Sequence, residues 1–354
     1  MIPSKSMAMV QTGPRALEPQ DLPIPEIDDD TALLRIEACG ICGSDYEQYE
    51  GVLRTPTPAI PGHEPLGVIA KIGDRAARRW GVDEGDRVAV ETMLSCRFCP
   101  PCLAGQYHLC QHRRIYSYIP TSEAPGLWGA YAQYMFLDAN TLVHKMDPAL
   151  APEMAVLFNP LGAGFRWAVE IPETGPGDTV VILGPGQRGL ASVLATRQAG
   201  ADKVIVTGLE ADRDKLDIAR QFGADATIDV ENEDTVRRVR ELTDGQGVDA
   251  VIEIGGEGTL SQSISALRRG GHINVIGYLA GIGLGLSVFD LIERNANLHG
   301  LSVGNREQFE GMMDFIGKHG IRPVISRTYP FEEAGQALQD IAEGGNFGKL
   351  VVTI

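Results

Sequence analysis

From Val180 onward the chain is punctuated at short intervals by runs of aliphatic residues, and this rhythm constrains the fold more than any other feature. The runs are Val180 to Leu183, Val204 to Thr207, Thr227 to Val230, Val251 to Ile254, Ile273 to Ile276 and Leu298 to Val303. Helical patterns separate most of them. Leu190, Val193 and Leu194 share one face, as do Leu216, Ile218 and Ala219 with Phe222. Short apolar strands alternating with helices predict a parallel, doubly wound α/β sheet.

The flanking segments read differently. Up to about residue 155, short β-like runs such as Ala32 to Ile36 and Val68 to Ile72 are broken by Pro56, Pro58, Pro61, Gly62 and Gly73. That texture predicts a small, irregular β domain. After about Gly304, Phe309, Met312, Met313 and Ile316 fall on one helical face that Gly320 can end. A second helix near Glu332 to Glu343 then precedes a closing strand, Lys349 to Ile354. This tail is too short for a core of its own, so it is expected to return to the first domain. A length of 354 residues suits two domains.

Composition excludes several classes. No run approaches the ~18 apolar residues of a membrane helix, and Met1 to Val10 holds no secretory apolar block, so a cytoplasmic enzyme is expected. A formal net charge of −16 repels phosphate backbones, which argues against nucleic acid as a partner.

The six cysteines form two clusters, Cys39/Cys42 and Cys96/Cys99/Cys102/Cys110. A disulfide scaffold would be short and cysteine-dense, so clustered thiols here read as metal ligands. The spacing Cys96-x2-Cys99-x2-Cys102-x7-Cys110 fits a closed, tetrahedral zinc site with no position left for chemistry, a structural staple. His108 and His112 flank it and are expected at the surface. Cys42, in Gly-Ile-Cys-Gly-Ser-Asp, and His63, in Pro-Gly-His-Glu-Pro-Leu-Gly, lie in glycine-punctuated turns and offer two of about three ligands for a catalytic zinc. Asp45 can accept the other ring N–H of His63 and fix its tautomer. Ser44 is placed to bind a substrate hydroxyl and pass its proton outward.

Gly184-Pro185-Gly186-Gln187-Arg188-Gly189 follows the strand Val180 to Leu183 and opens a helix. There the glycines allow a tight turn and close backbone approach, and the helix N-terminus receives a pyrophosphate.

Taken in order, these motifs resemble those of the zinc-containing medium-chain dehydrogenases, which include alcohol, sorbitol, threonine and glucose dehydrogenases. The likeness runs from the strand at Met7 to the closing Phe347-Gly348-Lys349-Leu350-Val351-Val352. It implies a GroES-like β domain carrying both zincs (residues 1–155 and 304–354) and a Rossmann domain that binds NAD or NADP (156–303). It also implies a homodimer or homotetramer.

Departures from the family pattern matter at the zinc, in the proton relay and in the glycine turn. The third zinc ligand of relatives falls in the segment matching Phe158-Asn159-Pro160-Leu161, where Cys or Glu is usual and this chain has Asn159. The expected set is therefore Cys42, His63 and Glu64, with Asn159 reaching the metal directly or through water. Glu47 stands where many relatives carry the histidine that ends the proton relay, and a carboxylate can serve there with a different pKa. Arg188 replaces a small aliphatic residue beside the nicotinamide, either pairing with an anion or pointing outward.

The strand Val204 to Thr207 ends at Gly208, where an acid would hold the ribose diol of NAD. Its absence and the proximity of Arg213 favour NADP, while Glu210 can still take the diol. A turn at Gly255-Gly256-Glu257-Gly258 is expected on the nicotinamide side. The expected reaction is hydride transfer between the CH–OH group of a small alcohol or polyol and NAD(P), assisted by zinc. Two other functions fit the same residues: a zinc-free reductase or quinone oxidoreductase, and a non-catalytic nucleotide-binding sensor.

Overall fold

The computed structural model describes residues 1–255, 259–276, 287–300, 306–319, 324–343 and 348–354. The chain divides into two compact units, one of Met1–Leu157 with Arg322–Ile354 and one of Phe158–Ile321. Gly256, Glu257 and Gly258 of the expected nicotinamide turn lie outside the described residues, as do Leu301 to Val303, Gly320 and Phe347. Among the described residues no helix is long and apolar enough to cross a membrane.

Among the described residues of the first unit a seven-stranded sheet runs in the order Ile325–Pro330, Lys349–Thr353, Ala32–Gly40, Glu64–Ile72, Arg87–Val90, Val143–Lys145, with Tyr134–Leu137 also paired to Ala32–Gly40. The closing strand returns antiparallel to Ala32–Gly40, so that Val352 sits opposite Cys39 and Val351 opposite Gly40. On its other side Gly40 faces Glu64. Leu34, Ile36, Trp128, Tyr131, Leu350 and Val352 belong to one core, which the tail completes.

Among the described residues the second unit holds six parallel strands in the spatial order Ala226–Asp229, Lys203–Gly208, Thr179–Leu183, Val248–Glu253, Leu267–Val275, Asn297–Gly300. Numbered along the chain this is 3-2-1-4-5-6, the doubly wound order of a dinucleotide-binding sheet. The runs are apolar throughout because both faces are covered. Val180, Ile182, Val204, Val206 and Ile252 enter one core, whereas Val181, Leu183, Ile205 and Val251 enter the other. Each such side chain stabilises the fold by about 1.5–3 kcal/mol on burial.

The helix Arg306–His319 lies within the span of the second unit, not with the tail. Its Phe309 ring meets Phe158 edge-on at 5.7 Å. Gly162 lets that ring down onto the helix Phe158–Phe165, since a Cβ at Gly162 would lie 2.0 Å from Phe309 Cδ1. Helical periodicity marks a buried face but does not say which layer covers it.

Candidate active site

The helix Gly43–Glu50 starts directly after Cys42, and one carboxylate organises its first turn. Asp45 is fully buried. Its Oδ2 accepts the Cys42 N–H at 2.8 Å, and its Oδ1 lies 2.8 Å from His63 Nδ1. Asp45 thus holds the backbone of one sulfur donor and the ring of one nitrogen donor, leaving His63 Nε2 for another partner. Burial works against a charged His63, but the Asp45 carboxylate and Cys42 outweigh it and hold the imidazole well above its usual value near 6.5. Donor atoms of Cys42, His63 and Glu64 all lie within 4.8 Å of one another, and all three residues are buried. A thiolate, an imidazole and a carboxylate form a donor set that fits zinc.

Glu64 has a second partner. Lys349, on the closing strand and only 1% exposed, forms an ion pair with Glu64 Oε2. Gly40 makes the room for it, because a Cβ there would fall 2.2 Å from Glu64 Oε2 and 2.5 Å from Lys349 Cε. Nearby Cys39 lies outside the donor cluster. Burial and the Asp45 charge push its thiol well above the ordinary range, which keeps it a neutral core residue.

Donor atoms of Cys96, Cys99, Cys102 and Cys110 also lie within 4.8 Å of one another. Backbone N–H groups point at the sulfurs: Cys96 N–H and His112 N–H donate to Cys110 Sγ at 3.2 and 3.3 Å, and Cys99 N–H to Cys96 Sγ at 3.4 Å. Against the cost of burial, N–H groups and neighbouring thiols hold Cys99 down to about 6. Burial and Cys99 push Cys102 up to about 12. Protein groups alone therefore favour thiolate at Cys99 and oppose it at Cys102; a divalent cation suits all four as thiolates. His112 is exposed and stacks on Phe98, whereas His108 is buried, contrary to its expected surface position. It sits inside the loop that folds around the sulfurs.

In the second unit the glycine turn leads from Thr179–Leu183 into the helix Gln187–Ala199. Its glycines serve different ends. Gly184 has φ +107°, and a Cβ there would lie 3.3 Å from Gly255 Cα, at the carboxyl ends of two adjacent strands where the chain order reverses. A Cβ on Gly189 would lie 2.0 Å from Gly184 O, so the helix packs tightly on its own turn. A Cβ on Gly186, by contrast, would meet nothing within 4 Å. Open space at this position of the turn is what a dinucleotide diphosphate would require.

Two family descriptions match this chain: "Alcohol dehydrogenase GroES-like domain" over residues 28–147 and "Zinc-binding dehydrogenase" over residues 189–318. A Mycobacterium tuberculosis protein named "Probable alcohol dehydrogenase" is 46% identical, covering 80% of this chain and 78% of its own length. The erythritol/L-threitol dehydrogenase of Mycolicibacterium smegmatis is 35% identical over 77% of this chain and 76% of its own. A zinc-binding dehydrogenase of Sinorhizobium meliloti 1021, solved with NADP bound, superposes with a TM-score of 0.87 at 27% identity, covering 99% of this chain and 100% of that one.

The chain belongs to the zinc-containing medium-chain dehydrogenase family.

As a member of that family it is an NAD(P)-dependent oxidoreductase of the alcohol dehydrogenase type. Within this medium-chain dehydrogenase, Ser44 is buried and Glu47 half-buried on the Cys42 helix, three residues apart and hence on one face. Asn159 is buried in the first turn of the helix Phe158–Phe165, in the second unit. The Arg188 guanidinium lies over the Trp167 indole, 5.6 Å from its centroid. Gly208 is packed by Pro185, Asp212 and Leu216, with Cβ clearances of 3.0–3.2 Å. Glu210 and Arg213 are exposed and 3.9 Å apart.

Three residues of this dehydrogenase escape a reading of the sequence alone: Lys349, Glu91 and Thr92. A lone lysine in a closing apolar strand is the available signal for the first. For the others there is none, because their partners are far away in the chain.

Proposed function

We propose that this dehydrogenase oxidises a small polyol or secondary alcohol at a zinc held by Cys42, His63 and Glu64, with a second, structural zinc on Cys96, Cys99, Cys102 and Cys110. The observation that carries the reading is the convergence of three buried donors, S, N and O, within 4.8 Å. When bound, zinc supplies Lewis acidity at the substrate oxygen and the nicotinamide accepts the hydride.

The chain's own residues do the rest. Asp45 fixes the His63 tautomer so that Nε2 can donate its lone pair. Ser44 accepts the proton leaving the substrate hydroxyl, and Glu47, one turn on along the same helix face, takes it toward solvent. By the family pattern Asn159 is a further candidate donor to that metal, directly or through water. Gly184, Gly186 and Gly189 shape the diphosphate cradle, and Arg188 adds positive charge to that turn.

NADP is the favoured cofactor. Gly208 is closely packed where an acid would otherwise repel a 2′-phosphate, and exposed Arg213 is only loosely paired with Glu210. Glu210 remains the group that would hold an NAD diol. A polyol is favoured because the Asn-Pro-Leu segment resembles the polyol and sugar branch, and because the similar mycolicibacterial enzyme is named for two tetritols. The helix Val288–Arg294 exposes Val288, Phe289 and Ile292 just before the sheet's edge strand Asn297–Gly300. Such an apolar surface supports a homodimer or homotetramer. Six cysteines, none in a disulfide, suit a reducing cytoplasm.

Metal analysis with a screen of alcohols and polyols against NAD and NADP, followed by nicotinamide absorbance, tests the proposal. About two zincs per chain and polyol turnover with NADP are expected. About one zinc per chain would leave only the structural site and overturn the catalytic assignment.

A further inference from the structure

Two adjacent buried residues, Glu91 and Thr92, stand between the two donor clusters of the first unit and grip one each. The Glu91 carboxylate accepts the Tyr107 O–H, at 2.9 Å to Oε2 and 3.1 Å to Oε1. His144 Nε2 lies 2.9 Å from Glu91 Oε1. Tyr107 belongs to the loop between Cys102 and Cys110, while His144 sits on the strand Val143–Lys145. One peptide further on, the Thr92 hydroxyl donates to the His63 carbonyl oxygen at 2.8 Å. The Thr92 carbonyl accepts the Tyr116 N–H at 3.0 Å, just beyond the four-cysteine loop.

A carboxylate this deeply buried is costly, and an apolar side chain would fill the same space with less desolvation. What the polar pair supplies is geometry. Asp45 holds the ring of His63 and Thr92 holds its backbone, so the imidazole is fixed at two points. Thr92 is in turn anchored through its neighbour to the four-cysteine loop. We infer that Glu91 and Thr92 are positioning residues that couple this loop to His63, so that the grip of the Cys42/His63 site on its metal depends on the Tyr107–Glu91 contact. The inference rests on the reading in which that site holds a metal.

The test uses the full-length protein loaded with Co²⁺, whose visible bands distinguish a four-thiolate set from a mixed thiolate–imidazole set. Thr92→Val and Tyr107→Phe are each expected to shift the mixed-site band and to speed chelator extraction of that metal roughly tenfold. The four-thiolate bands should persist, and Thr92→Ser should behave as the unsubstituted protein does. Because both act on one path, the double variant should lose little more than either single one.

An unchanged mixed-site band and extraction rate in folded Thr92→Val or in folded Tyr107→Phe overturns the coupling. If Thr92→Val does not fold, Tyr107→Phe decides alone. A protein whose Cys42/His63 site takes up no cobalt overturns the metal reading and the coupling together, and is recognised by the missing mixed-site band before any substitution.

Discussion

Lys349, from the last strand of the chain, closes a buried ion pair with Glu64, the residue next to His63. The pair ties the returning tail to the candidate zinc site, and Gly40 is the residue that leaves space for it. In the proposed site the Glu64 carboxylate would be contested between this ammonium and a metal. Lys349→Met should therefore leave an uncompensated buried charge in the metal-free protein, at a cost of about 3–5 kcal/mol. Zinc should restore much of that loss, because a dication can neutralise the same carboxylate. Denaturant titrations with and without zinc measure the difference. Equal destabilisation in both conditions would show that Glu64 does not face the metal.

The Asp45–His63 contact predicts a pH dependence of metal uptake. In the metal-free protein His63 holds its proton well above 6.5. The stability this proton contributes is fully present below the unfolded value near 6.5 and is lost as pH rises through the raised folded value. Zinc requires the neutral ring, so uptake should release a proton and weaken as pH falls. Asp45→Asn should shift this dependence to lower pH and reduce zinc affinity by roughly 10–100-fold. Calorimetry in buffers of different ionisation enthalpy reads both quantities. A proton release unchanged by the substitution would remove Asp45 from this role.

For the four-cysteine loop the expected loss is structural. Cys102→Ser deletes one thiolate of a closed site, so metal content should fall from about two zincs to about one per chain. The melting temperature should drop by several degrees, since the loop is held by sulfur and N–H contacts more than by apolar burial. Dehydrogenase activity assayed promptly at low temperature with zinc in excess should outlast the lost zinc, because a loosened Tyr107–Glu91 contact weakens the other site's grip on its metal without removing its donors. Full retention of both zincs would contradict the assignment.

Much of the fold can be read from the chain because its physics is local. The strands of the second unit are written as uninterrupted Val/Ile/Leu runs, since a parallel sheet covered on both faces admits little else. The candidate metal donors stand out in the chain because thiols and imidazoles recur there in short, glycine-punctuated or closely spaced motifs. What is not legible depends on distant partners. Nothing near Phe309 tells that its ring lies on Phe158, and so periodicity alone groups the helix Arg306–His319 with the wrong neighbour. Nothing near Lys349 tells that its ammonium meets a carboxylate almost three hundred residues earlier in the chain. Asn159 lies more than a hundred residues after Cys42 and in the other unit, so no local pattern links the two.

The glycine turn separates packing from binding in one pair of substitutions. Gly189→Ala would drive its methyl to 2.0 Å from Gly184 O, so the helix must shift, at about 1–3 kcal/mol of stability. Gly186→Val meets nothing within 4 Å at its Cβ, and its φ of −66° is open to any residue. Its folding stability should therefore change little. Its side chain would occupy the space left for the diphosphate, and cofactor affinity should fall by roughly tenfold or more, about 1.4 kcal/mol. Thermal melts paired with nicotinamide fluorescence titrations would resolve the two effects. If Gly186→Val binds NADP and NAD as tightly as the unsubstituted chain, the diphosphate does not lie in this cradle.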